Sequence, residues 1–207
     1  MENVYASDSE LLRAEIAAVA ARLIAEEGSD YGSAKRKAAR QLLGYTKVRG
    51  NIMPDNEQIE KEVRIYNALF LGDTQPVRLL HLRTLALELM DVLAQFNPLL
   101  TGAVLNGTAG EHSDIYLQLF IDNPKSVEMF LLNRNVNFEV SETPHFKGWS
   151  EPVETLSFIW KKEGVHLVLY SFDDLRGTAK VNSKGSQERA NRDAVQTLIS
   201  ESGRDEA

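Results

Sequence analysis

The stretch Asn106-Gly107-Thr108-Ala109-Gly110-Glu111-His112-Ser113-Asp114 brings glycines, hydroxyls, an imidazole and carboxylates together within a short span. These side-chain types serve phosphate contact, cation ligation and proton transfer. They are also the residues that a tight turn prefers for its backbone alone. His112, close to Asp114, is a candidate general base or metal ligand, and in the plainer reading a solvated turn histidine. The other histidines offer less. His81 falls on an apolar helix beside Arg78 and Arg83 and reads as partly exposed, and His145 lies in a loop with no partner nearby in sequence.

Several chemistries are excluded. The chain has no cysteine, so disulfides, thiolate nucleophiles and thiolate metal sites are ruled out. There is no phosphate-binding Walker loop, no dinucleotide glycine fingerprint, no nucleophile elbow and no Ser–His–Asp series in chain order. Two basic groups stand out on an acidic chain of net charge −7. Lys35, Arg36, Lys37 and Arg40 cluster, followed by Lys47 and Arg49, and Arg176, Lys180, Lys184 and Arg189 form a looser set. The first could meet a nucleic acid or a protein partner, or be a solvated helix face. Trp149 and Trp160 read as core or interface residues.

The elements that must position these residues follow from periodicity. Leu11, Leu12, Ile16, Val19, Leu23 and Ile24 recur at helical spacing from Ser7 to Glu27, with Ser7 or Ser9 as cap and Gly28 as stop. A second helix is predicted from Ser33 to Leu43, ended by Gly44, and Tyr45 to Pro54 reads as a loop. Asp55 or Asn56 caps a third helix through Phe70. Gln75 to Phe96 carries a wide leucine stripe and ends at Asn97-Pro98. Beyond Pro98 the period changes to two. Leu100 to Leu105 and Ile115 to Ile121 are predicted strands joined by a glycine-containing turn. A helix follows from Pro124 to Asn133. Strands are expected at Asn137 to Ser141, Glu154 to Trp160 and Val165 to Phe172, with a hairpin turn at Glu163-Gly164. A last helix spans Gln187 to Ile199.

The pattern of Gly107-Thr108 after an apolar run, then Ser113-Asp114 opening the next strand, resembles the nucleotidyltransferase superfamily of polymerase-beta-like folds. The whole chain is similar to a bacterial family described as nucleotidyltransferases, in its Ala34-Lys35-Arg36-Lys37-Ala38-Ala39 helix and its Gly107-Thr108-Ala109 turn. The resemblance implies that Gly107, Thr108 and Ser113 contact the phosphates of a nucleoside triphosphate and that Asp114 ligates Mg2+ or Mn2+ as the first catalytic carboxylate. It also implies a second aspartate two residues on, where this chain has Tyr116, and a third carboxylate on a later strand, where it has His166. Glu139 and Glu154 are the alternatives for that third acid.

The expected architecture is α+β: a helical N-terminal region, residues 1–74, followed by a small mixed β-sheet with packed helices, residues 75–207. A hydrophobic share of 43% and a charged share of 26% are ordinary for a globular protein. The N-terminus carries no basic start with an apolar core behind it, and no apolar run approaches a membrane span, so a cytoplasmic protein is expected, with no membrane partner. The functional expectation is a nucleotidyltransferase-like protein with an incomplete metal-ligand set. The alternative is a non-catalytic interaction module working through the basic helix.

Overall fold

The structure, a computed structural model, describes residues 8–44, 52–147, 150–175 and 189–202. It is α+β. The chain divides into two compact units, one of residues 1–78 and 108–112, the other of residues 79–107 and 113–207.

The first unit is helical. α1 (Asp8–Glu27) buries Ile16, Ala17, Ala20, Ala21 and Leu23, and α2 (Tyr31–Leu43) buries Ala34, Ala38 and Ala39. These small residues share one core with Ile59 and Val63 of α3 (Asn56–Phe70). Alanine at the contacts lets helix backbones approach closely at little side-chain entropy cost. Asp30 caps α2 by accepting from the Ser33 amide at 2.9 Å. Asp55 and Gln58 form a reciprocal capping box on α3, so Asp55 rather than Asn56 is the cap. Among the described residues no helix is long and apolar enough to cross a membrane.

The second unit holds α4 (Gln75–Val92) from Leu79 onward, a single 3-10 turn at Ala94–Phe96, and a five-stranded sheet. Its elements are β1 (Leu99–Thr101), α5 (Gly102–Asn106), β2 (Ile115–Phe120), α6 (Lys125–Asn133), β3 (Glu139–Thr143), β4 (Val153–Trp160), β5 (Glu163–Tyr170), α7 (Phe172–Leu175) and α8 (Arg192–Ser202). The spatial order is β1-β2-β5-β4-β3; β2 and β5 are parallel and the other neighbours antiparallel. Alternation splits the sheet into two faces. Ile115, Leu117, Leu119, Leu156, Phe158, Val165, Leu167 and Leu169 point to the helix-covered face and are buried. His81 of α4 meets Glu163 at 3.2 Å on that side, and Glu128 of α6 lies beside Glu154. Asp114, Tyr116, Gln118, Gly164, His166 and Ser157 belong to the opposite, open face.

Four sequence expectations are corrected. The predicted strand Leu100 to Leu105 stops at Thr101, because Gly102 turns to φ +73° and the chain coils into α5. The buried Arg83 of α4 fixes that helix, donating from Nε to Val104 O at 3.0 Å and from its guanidinium to Leu105 O at 3.2 Å. The hairpin turn lies at Lys161-Lys162, both at positive φ as a two-residue turn of that kind requires, and not at Glu163-Gly164, which belongs to β5. β3 begins and ends two residues later than expected, and Gln75 to Phe96 is a helix only to Val92. Arg176, Lys180, Lys184, Lys47, Arg49 and Trp149 lie outside the described residues.

Candidate functional site: the open face of the sheet

Pairing register places Thr101, Tyr116, His166, Ser157 and Glu139 opposite one another, a polar row crossing all five strands. The middle of the row is joined by hydrogen bonds. The Ser157 hydroxyl and His166 Nδ1 are 2.8 Å apart, and His166 Nε2 lies 3.1 Å from Asp114 Oδ2. Asp114 stands at the mouth of β2, one residue before the first registered pair, Ile115 with Val165. Its carboxylate reaches the imidazole by folding over Gly164 of the neighbouring strand. A Cβ at position 164 would lie 2.2 Å from Asp114 Oδ1, so the glycine leaves the floor clear for that carboxylate. Tyr116 stacks on the His166 ring at 4.5 Å between centroids and 23° between planes, which fixes the plane of the imidazole.

The relay borders a cleft of about 460 Å³, lined by Asp114, His166, Ser157, Asn137, Phe138, Glu139 and their strand neighbours. Asp114 and Glu139 are the ionisable acids of that lining, and it contains no lysine or arginine. No Ser–His–Asp series is visible in the sequence because the members come in the order Asp114, Ser157, His166, at the mouth of β2 and on β4 and β5. Only the β2–β5–β4 register brings them together. The available signal was the polar residue placed at alternate positions in otherwise apolar strands.

The sequence-predicted residues fall as follows. Asp114 is on the open face with a half-exposed carboxylate. Ser113, beside it, is half-buried. Gly107 closes α5 at φ +85°, and its amide donates to Ala103 O at 3.0 Å, which occupies the donor a phosphate would use. Thr108 belongs to the other unit, is 4% exposed, and its carbonyl accepts from Asn67 Nδ2. His112 is exposed in that same unit, where its Cβ would lie 2.6 Å from a Cβ added to Gly28. On α2, Arg36, Lys37 and Arg40 are exposed and Lys35 is half-buried; Lys37 pairs with Glu27 at 3.2 Å.

The metal positions hold one carboxylate, one phenol and one imidazole: Asp114, Tyr116 and His166. Magnesium asks for several hard oxygen ligands in octahedral array, and this set does not fit a resident pair of such ions. Among the described residues no three histidines, aspartates or glutamates are grouped to hold a metal ion. Of the alternative acids, Glu139 faces the cleft. Glu154 is on the helix-covered face, where burial, then the neighbouring Glu128, raises its pKa.

The far half of the open face is built differently. Phe120 and Tyr170 stack at 5.4 Å, and Phe146 packs edge-on to Tyr170 at 4.9 Å. Arg189 lies over Phe146 at 4.7 Å and donates to Gln118 Oε1. His145, expected to be without a partner, is buried here and meets Asp174 at 3.2 Å. No family model matches the chain, nor does any curated protein or solved structure.

Proposed function

We propose that this chain is a nucleotidyltransferase-like protein that binds a nucleoside triphosphate on the open face of its sheet and has lost two-metal transfer chemistry. One observation carries the reading: position 166, distant in the chain, is brought beside positions 114 and 116 on one face of adjacent strands. That is the placement the resemblance requires of its three acids, and the side chains there are Asp114, Tyr116 and His166. With a single carboxylate at those three positions the site cannot hold a catalytic pair of metal ions. It can meet a magnesium ion that arrives on the triphosphate as part of the substrate, and the acidic lining repels a triphosphate that comes without one.

Calorimetric titration with each triphosphate, with and without magnesium or manganese, tests this. Binding is expected only with the divalent ion and is expected to weaken at least tenfold in Asp114→Asn. Tyr116→Asp places a second carboxylate on the same side of β2, since residues two apart share a face, and is expected to raise metal-dependent affinity. Equal, negligible binding by the wild type and both variants would remove the reading.

A second reading rests on α2, where Arg36, Lys37 and Arg40 are exposed within one helical turn. It makes the first unit a docking module for a nucleic acid. Affinity for a short duplex would then fall steeply with salt, and Arg36→Ala with Arg40→Ala would flatten that slope. No binding at low salt leaves a solvated helix face.

A further inference from the structure

We infer that Ser157 is an activated nucleophile for acyl transfer, with His166 as its base and Asp114 as the group that orients and charges the base. This goes beyond the nucleotide reading and does not depend on it. The inference rests on a hydroxyl, an imidazole and a carboxylate joined in series at 2.8 and 3.1 Å, beside a cleft large enough for a small substrate. A nucleophile within hydrogen-bond reach of a base that a third group orients is the arrangement that defines an activated serine, recognised by geometry rather than by chain order.

The two ring nitrogens have separate duties. Asp114 accepts from Nε2–H, which leaves Nδ1 as the lone pair facing the Ser157 hydroxyl. Two further features lock this arrangement: the Tyr116 ring holds the imidazole plane, and Gly164 keeps Asp114 over the strand. In the reaction the Ser157 proton passes to His166 Nδ1 as Oγ bonds to the carbonyl carbon of an ester. The carbonyl oxygen takes the negative charge. When the tetrahedral adduct collapses, the bond to the leaving oxygen breaks and that oxygen takes the proton from Nδ1, departing as an alcohol. Water then attacks the acyl-serine and gives its proton to Nδ1. The second collapse returns the proton to Ser157 and releases the acid. Asp114 stays ionised and stabilises the imidazolium in both halves.

The lining sets the substrate class. Phe138 and Ile159 offer apolar wall for an acyl chain, Asn137 carries a side-chain amide able to donate to the oxyanion, and Asp114 with Glu139 repels anionic substrates. The ester should therefore be small, and neutral or cationic.

The test is covalent labelling of the full chain with a short-chain alkyl fluorophosphonate, read by intact mass and peptide mapping, together with hydrolysis of p-nitrophenyl butyrate. One adduct per chain is expected, on Ser157. Ser157→Ala should abolish it, and His166→Gln should slow it about 100-fold, within the usual worth of a general base. Asp114→Asn should slow it while leaving the thermal midpoint near that of the wild type. No adduct on the wild type, an adduct on another residue, or equal labelling rates in wild type and folded His166→Gln would overturn the inference. Triphosphate titration of the same samples reports the nucleotide reading separately, so one can fail without the other.

Discussion

His145–Asp174 and His166–Asp114 are both imidazole–carboxylate pairs, separated by 3.2 and 3.1 Å, on the open side of one sheet. Their surroundings differ. His145 is buried; its Nδ1 accepts from the Lys147 amide at 3.0 Å, so its ring proton sits on Nε2 and points to Asp174. Asp174 in turn accepts from Lys147 Nζ and from the Ser171 hydroxyl at 2.7 Å. Every polar atom of that pair is spent on holding the segment after β3 against α7. His166 lies at the edge of a cleft, its second nitrogen faces a hydroxyl rather than a backbone amide, and Asp114 is half open to solvent. The same two side chains thus make a closed clamp in one place and, in the other, a pair that borders a cleft and faces a hydroxyl.

The largest expected effect comes from breaking the clamp. His145→Ala leaves the Lys147 amide without its acceptor, takes one of three donors from Asp174 and empties the volume of a buried ring, at a cost of about 2–3 kcal/mol. His166→Ala, at a half-exposed position, should cost under about 1 kcal/mol. Urea denaturation midpoints of the two variants decide it; equal losses would mean that the pairs do not differ in kind.

Acid should divide the pairs as well. Burial opposes the charge on Asp174, yet hydrogen bonds from Lys147, Ser171 and His145 outweigh it and hold the carboxyl well below the usual carboxylate range. A carboxyl whose folded-state pKa is depressed stabilises the fold above its unfolded value, about 3.9, and that stabilisation is lost as pH falls from there toward the folded value. Asp174→Asn should cost about 2 kcal/mol at neutral pH, as the loss of hydrogen bonds to charged groups does. It should also flatten the fall in stability below about pH 4. Thermal midpoints between pH 3 and 7 give both quantities, and an unchanged acid limb would assign the acid sensitivity to other carboxylates.

The two pairs also mark how far the sequence could be read. Long helices declared themselves, because the buried residues of α1, α3 and α4 recur at helical spacing. The short run Leu100 to Leu105 did not. Six residues of mostly apolar character fit a strand or a buried helix equally, and Arg83, distant in sequence, satisfies the carbonyls that make it a helix. Gly164 was misread for a related reason. A glycine near a chain reversal suggests the turn itself, but its lack of a Cβ serves the carboxylate of Asp114 on another strand. Asp114 was visible as a candidate from its place at a strand mouth. Ser157 was not, because its role depends on register with β5, and His145 looked unpartnered because Asp174 lies 29 positions on.

The smallest expected change in stability is also the sharpest test of the contrast. In Gly164→Ala the new methyl must displace the Asp114 carboxylate, and the atoms in its way are the far end of a flexible, half-exposed side chain. That side chain can swing toward solvent, so the fold should lose no more than about 1 kcal/mol, the loss of an interior strand glycine being itself slightly favourable. The hydrogen bond from His166 Nε2 should vanish even though every member of the relay is still present. Nitrogen-15 spectra of the imidazole should show His166 losing its single preferred tautomer, while the His145 signals stay where they are in the wild type. Labelling at Ser157 should slow together with the tautomer change. If His166 keeps its tautomer in Gly164→Ala, Asp114 does not orient it, and the exposed pair has no more claim to chemistry than the buried one.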